Sequence, residues 1–243
     1  MSNTRNVEAF EKLVGICTGY GAQYSAGSKN LRVENMLDLL ARSQAAMKSV
    51  SDAQTNFENA TNGREVVAKE VSKLASRVLA ELKSSGAMSQ TVDDARTMVR
   101  KIKGSASTPV PQPAAAEVKS VATMPPASRS RSGGKDYEGF AHSFEKLIQT
   151  LSNEPLYQPV EPELQVAGLQ NTLALLRNGN TNVAGTNGVL KKARRDRNAV
   201  LYTDKYSLYK TALAVKQRAK AAFGYNSEAA YDANHIRFTK PKM

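Results

Sequence analysis

The stretch FENATNGREVVAKEVSKLASRV, residues 57–78, decides the fold class. Within it Phe57, Ala60, Arg64, Val67, Val71, Leu74 and Val78 follow one another at alternating intervals of three and four residues. That rhythm places all seven on one face of a 3.6-residue helix, and all but Arg64 are apolar. The same rhythm extends upstream through Val33, Met36, Leu40, Met47 and Val50. Phe10, Leu13, Val14 and Cys17 predict a short opening helix. Gly86 stands where a helix would stop, and Ser89 is placed to cap a last short one. Asn62-Gly63 predicts a break or bend within the long segment, because glycine costs a helix interior backbone entropy. Strand-like alternation never persists beyond a few residues. Trp is absent and aromatics make up 6% of the chain, so the core must be built from Ala, Leu, Val and Met, which suits helix packing. The expected class is all-α.

Residues 105–135 read differently. Pro109, Pro111, Pro113, Pro125 and Pro126 fall here among Ala, Ser and Val, and the run closes on alternating Ser and Arg (Ser128 to Ser132). Such a composition cannot bury a core and predicts an extended linker. The sequences on either side match in order. Phe10-Glu11-Lys12-Leu13 recurs as Phe144-Glu145-Lys146-Leu147, and Leu31-Arg32-Val33 faces Leu164-Gln165-Val166. Holding that second offset, Val50 meets Val183, Arg64 meets Arg197 and Val67 meets Val200. Gly86 later meets Gly224 and Asp94 meets Asp232. An internal duplication is expected: two homologous three- or four-helix modules, residues 1–104 and 136–243, joined by the Pro/Ala/Ser-rich linker 105–135.

The second copy also resembles an uncharacterised family of two-repeat helical proteins from Bacteroidetes. The likeness rests on Phe144-Glu145-Lys146-Leu147-Ile148, on the run from Ala193 to Tyr202, on Val215-Lys216, and on Phe223-Gly224-Tyr225-Asn226-Ser227. The resemblance implies a bacterial source and a duplicated helical architecture. It implies no activity.

Arg64 and its counterpart Arg197 each interrupt an apolar face. A buried guanidinium needs a carboxylate or several carbonyls. Glu11 and Glu145 hold matching places in the opening helices, so Glu11–Arg64 and Glu145–Arg197 are expected as register-fixing ion pairs.

The chain carries 34 Lys and Arg against 22 Asp and Glu, a net charge of +12. Such a balance favours polyanionic partners. Residues 191–220 hold ten of the basic residues against two acidic ones. On an ideal straight helix Lys191, Arg194, Arg195, Lys205, Lys216 and Lys220 share a face with Tyr202 and Tyr209, and Tyr206 falls at its border. Cations interleaved with rings can pair with phosphates and stack on bases. That face is the candidate polyanion-binding site.

No phosphate loop, nucleophile elbow or zinc-helix motif occurs, and the two histidines, His142 and His235, read as solvent-facing. Neither catalytic nor metal-ligating residues are assigned, and no cofactor or small-molecule substrate is inferred. Cys17 reads as a small buried hydrophobe. With no apolar run of membrane-spanning length and no leader pattern, the expected location is the cytoplasm. The expected role is a non-enzymatic interaction or scaffold protein that binds a protein partner or itself. The alternative is a basic nucleic-acid-binding protein of little sequence specificity, acting through the Lys191–Lys220 face.

Overall fold

The computed structural model describes residues 2–25, 27–104 and 136–239. The expected linker, 105–135, lies outside the described residues. Among those described, the secondary structure is helical with no strand. The α-helices are α1 (Ser2–Gly19), α2 (Val33–Ser84), α3 (Ser89–Lys103), α4 (Tyr137–Ser152), α5 (Val166–Asn198), α6 (Leu208–Phe223) and α7 (Glu228–His235).

Local chemistry sets several of the boundaries. The Asp136 carboxylate accepts from the Gly139 amide at 3.0 Å and caps α4. The Ser227 hydroxyl accepts from the Ala230 amide at 3.1 Å and caps α7. Ser89 does not cap α3 as expected. It is the first helical residue, and the extended Met88 stands in the capping place without a side-chain hydrogen bond. Gly104 ends α3 in the left-handed region (φ 68°), where a side chain would be strained.

The expected break at Asn62-Gly63 is not there. α2 runs unbroken for 52 residues, because apolar packing on both sides of Gly63 outweighs the roughly 1 kcal/mol that one glycine costs. At 1.5 Å per residue a helix of that length is ~78 Å long, and an 18-residue partner covers about a third of it. Its two parts therefore need different partners. The chain forms two compact units accordingly: Met1–Asn59 with Ala184–Met243, and Ala60–Val183. The halves 1–104 and 136–243, expected as separate modules, do not coincide with these units. Each half contributes to both, since α2 and α5 each divide between them.

In the first unit α1 supplies Phe10, Leu13 and Val14 to the core, and α2 supplies Met36 and Leu39. Leu201 and Tyr202 follow from the turn after α5, and Leu208 and Val215 from α6. Ala53, Leu190 and Ala193 make a small adjoining cluster between the first part of α2 and the last part of α5. In the second unit the later part of α2 buries Val71, Val78 and Leu82. Against them lie Val99 and Ile102 of α3, Phe144 and Leu147 of α4, and Leu169 and Leu176 of α5.

The connections that precede α2 and α5 are fastened alike. The Tyr24 hydroxyl donates to the Leu31 carbonyl at 3.2 Å, and the Tyr157 hydroxyl donates to the Leu164 carbonyl at 2.8 Å. Each bond closes a seven-residue span.

Candidate polyanion-binding surface

The straight basic helix expected over residues 191–220 does not form. α5 ends at Asn198, a π-helical turn follows over Ala199–Thr203, and a break precedes α6 at Leu208. A wheel drawn across that break puts unrelated directions on one face. Lys210 stabilises the break: its ammonium donates to the Thr203 and Asp204 carbonyls at 3.0 and 2.9 Å.

The candidate residues separate into two groups. Lys191, Arg194 and Arg195 on α5 are exposed, as is Lys205 in the break. Arg194 donates to Gln54 at 2.8 Å. The other four are engaged within the fold. Tyr202 is 3% exposed, which corrects its placing on a solvent face. Its hydroxyl donates to Asn3 at 2.7 Å and accepts from Asn6 at 3.1 Å. Lys216 donates to the Asn234 carbonyl at 3.3 Å and to that of Ile236, and burial lowers its pKa, with Lys220 adding to the effect. Lys220 lies 5.0 Å from the Tyr225 ring, and the half-buried Tyr209 packs on the core.

Neither expected ion pair is among those of the described residues. Glu145 pairs with Arg177 at 2.9 Å and lies 3.7 Å from His142 on its own helix. These neighbours lower its pKa, Arg177 most. Arg64 instead stacks over the Tyr137 ring, 3.7 Å from its centroid. Its Nε is buried with no hydrogen-bond acceptor among the described residues, as is the acceptor Oδ1 of Asn180 with no donor. Arg197 donates twice to the neighbouring Asn198 side chain, at 3.2 and 2.9 Å, and burial lowers its pKa. The physical reason is membership: Glu11 and Arg197 belong to the first unit, Arg64 and Glu145 to the second.

The division into units sorts the charge. The described part of the first unit has 17 Lys and Arg against 10 Asp and Glu, a net of +7. The second unit has 11 of each among its described residues. Three strongly exposed tyrosines, Tyr206 (50%), Tyr225 (78%) and Tyr231 (66%), also lie in the first unit. Each has a cation or an imidazole beside it: Lys205 at 5.3 Å from Tyr206, Lys220 at 5.0 Å from Tyr225, and His235 stacked on Tyr231 at 5.5 Å. The sequence reading put Tyr206 only at the border of the basic face and passed over Tyr225 and Tyr231, because Tyr206 and Tyr225 stand in helix breaks, outside any periodic pattern. The sign available beforehand was their place beside Asp204-Lys205 and Gly224, turn-forming residues rather than helical ones.

Cys17 is 1% exposed, and burial pushes its thiol up to about 11, offset in part by Tyr24. It is a protonated core residue at neutral pH. Among the described residues no group of three or more His, Cys, Asp or Glu is placed to hold a metal ion. None of their helices is long and apolar enough to cross a membrane. Comparison with models of protein families, with curated proteins and with solved structures finds no match for the chain.

Proposed function

We propose that the chain is a non-enzymatic helical interaction protein whose first unit binds a polyanion, namely nucleic acid with little sequence specificity. One observation carries this reading: net charge and exposed tyrosines are concentrated in the same unit, while the other unit is balanced. Cations would neutralise phosphates and release counterions, and the exposed rings offer sequence-tolerant stacking platforms. The surface differs from the one expected. Lys191, Arg194, Arg195 and Lys205 stay exposed, with Tyr206 beside Lys205, while Tyr202, Tyr209, Lys216 and Lys220 are engaged within the fold; Tyr225 and Tyr231 are further exposed rings of the same unit. A cytoplasmic location suits such a partner.

The internal duplication is part of the same proposal, as is kinship with the two-repeat Bacteroidetes proteins. The matched order of residues supports the duplication, and so do the paired bonds Tyr24–Leu31 and Tyr157–Leu164, which fall on the same sequence offset. That offset is 133 at Val67 and Val200 and has grown to 138 at Gly86 and Gly224. The residues gained in the second copy fall between Val200 and Gly224, an interval that opens on the π-helical turn and the break before α6. On this reading an insertion created the exposed Lys205-Tyr206 corner, which explains why only one unit bears it.

The test is anisotropy of labelled, mixed-sequence single-stranded nucleic acid titrated with nuclease-treated protein. A variant with Lys191, Arg194, Arg195 and Lys205 changed to Gln is compared with one bearing Gln at Lys69, Lys73, Arg100 and Lys101 of the second unit. Both lose four charges from exposed sites. The first should bind at least about tenfold more weakly and with a shallower salt dependence, and the second should bind nearly as the parent does. Equal loss in both would mean that bulk charge alone drives binding. Absence of binding at low salt would remove the reading in favour of a protein partner.

A further inference from the structure

The first unit contains an open cleft of about 520 Å³ between α1 and the segment formed by α7 and the residues after it. Its size falls within the range of small-molecule sites, roughly 300–1,000 Å³. One wall is a single stripe of α1, where Arg5, Glu8 and Lys12 succeed one another at helical spacing. The other wall brings Tyr231, Asp232 and His235 from α7, and then Arg237.

The segment carrying Arg237 is held at both ends. Upstream, the Lys216 ammonium donates to the carbonyls of Asn234 and Ile236 and so satisfies the end of α7. Downstream, Asn6 is 1% exposed and grips the backbone of Thr239 with both ends of its amide. Its Nδ2 donates to the Thr239 carbonyl at 2.7 Å, and its Oδ1 accepts from the Thr239 amide at 2.9 Å. Between these fastenings Ile236 and Phe238 pack on the core, and the intervening Arg237 is exposed and lines the cleft. A cation on a segment fastened in this way loses little further backbone freedom when it meets a ligand.

The cleft combines two kinds of recognition. Arg5, Lys12 and Arg237 supply positive charge, and none is in an ion pair among the described residues. The stacked rings of Tyr231 and His235, inclined at 27°, supply an exposed aromatic platform. Two carboxylates face the same space. Asp232 accepts from the Tyr20 hydroxyl at 3.4 Å, and Glu8 lies among the cations of α1. A carboxylate beside a phosphate site suits a ligand that presents an amine at its other end, such as an amino-bearing base.

We propose that this cleft is a nucleotide site, taking one nucleoside phosphate with its base on the Tyr231–His235 rings and its phosphate among Arg5, Lys12 and Arg237. The inference rests on the nucleic-acid reading and deepens it, since the nucleotide is either free or the phosphorylated end of a bound strand. Both sources share the chemistry of a base and a phosphate monoester.

The test uses the full chain and equilibrium dialysis against radiolabelled adenosine 5′-monophosphate. Binding is expected, weakened about tenfold or more by Tyr231→Ala and, separately, by Arg237→Gln. Both side chains are exposed, and circular dichroism checks that each variant keeps its helices. Adenosine alone and inorganic phosphate alone should compete at least about tenfold less well than the intact nucleotide. Stronger competition by a 5′-phosphorylated strand than by its 5′-hydroxyl form would assign the site to strand ends. Equal competition by the two would assign it to the free nucleotide. Failure of the monophosphate to bind, or binding unchanged in both variants, overturns the site. If labelled strands still bind the α5 surface in that case, the broader reading survives. If they do not, both fall together.

Discussion

Arg64 shows how far a single residue's chemistry can be read from its neighbours in sequence. An arginine within an apolar face demands compensation, and it receives it from the Tyr137 ring rather than from Glu11. Removing one partner of a buried ion pair costs roughly 3–5 kcal/mol, whereas a partly exposed cation–π contact contributes about 0.5–2 kcal/mol. Replacing Arg64 with Met also removes a buried Nε that has no acceptor among the described residues. Chemical denaturation of Arg64→Met should therefore show a loss of no more than about 1–2 kcal/mol. A loss above about 3 kcal/mol would restore the ion-pair reading. The need for a partner was legible in the sequence. Its identity was not, because periodicity fixes which face a residue occupies and says nothing of which element comes to lie opposite.

Tyr157 carries a pH dependence at the same scale. Its phenol is pushed up to about 12 by burial, aided by the nearby carboxylates of Glu81 and Glu161, against 10.0 for the free group. A raised pKa means that the folded state holds its proton more tightly than the unfolded chain does. The resulting stability is complete below pH 10 and is lost as the pH climbs from 10 towards 12. Tyr157→Phe should lose about 1 kcal/mol at neutral pH, through the missing bond to the Leu164 carbonyl, and should show a flatter decline in alkali. Melting temperatures at pH 8, 10 and 11 decide this. Parallel declines in parent and variant would show that Tyr157 is not the titrating group.

At the scale of elements, the two long helices set opposite conditions on their glycines. A Cβ at Gly63 would meet nothing within 4 Å, so Gly63→Ala should stabilise α2 by about 0.5–1 kcal/mol. A Cβ at Gly168, near the start of α5, would collide with the Pro162 carbonyl oxygen. There the backbone must move, and Gly168→Ala should cost about 2 kcal/mol or more. Thermal melts of the two variants should shift in opposite directions. A shift in the same direction would mean that α2 bends at Gly63 or that the Pro162 turn yields freely. The helical faces themselves were legible: Val71 and Val78 are fully buried, and Phe57, Val67 and Leu74 pack at the edges of the core. The π-helical turn at Ala199–Thr203 was not, because nothing in the run from Ala193 to Tyr202 breaks the helical pattern. That one turn accounts for the burial of Tyr202 and the loss of the continuous basic face.

For the whole molecule, the order of helices along the chain and their grouping in space differ. The proposed duplication would suggest two bundles, one for each half of the chain, yet each compact unit takes segments from both halves. Hydrophobic patterning favours neither arrangement, since the same faces are buried in both. Length decides: a 52-residue helix outruns the short helices beside it in the chain, and its far part must be covered by the other half. The proposed binding surface inherits this arrangement. The α1 wall of the cleft comes from one half of the chain, while its Arg237 and the Arg194 and Tyr206 of the α5 surface come from the other. The two halves should therefore be unable to fold or bind separately. The direct measurement is to express residues 1–104 with an affinity tag together with residues 136–243 without one, and to purify on the tag. We expect the two chains to recover in equal amounts as one helical complex that binds nucleic acid as the intact protein does. A tagged fragment that purifies alone, fully helical and with its own cooperative melt, would contradict the interleaved units and restore the picture of two separate modules.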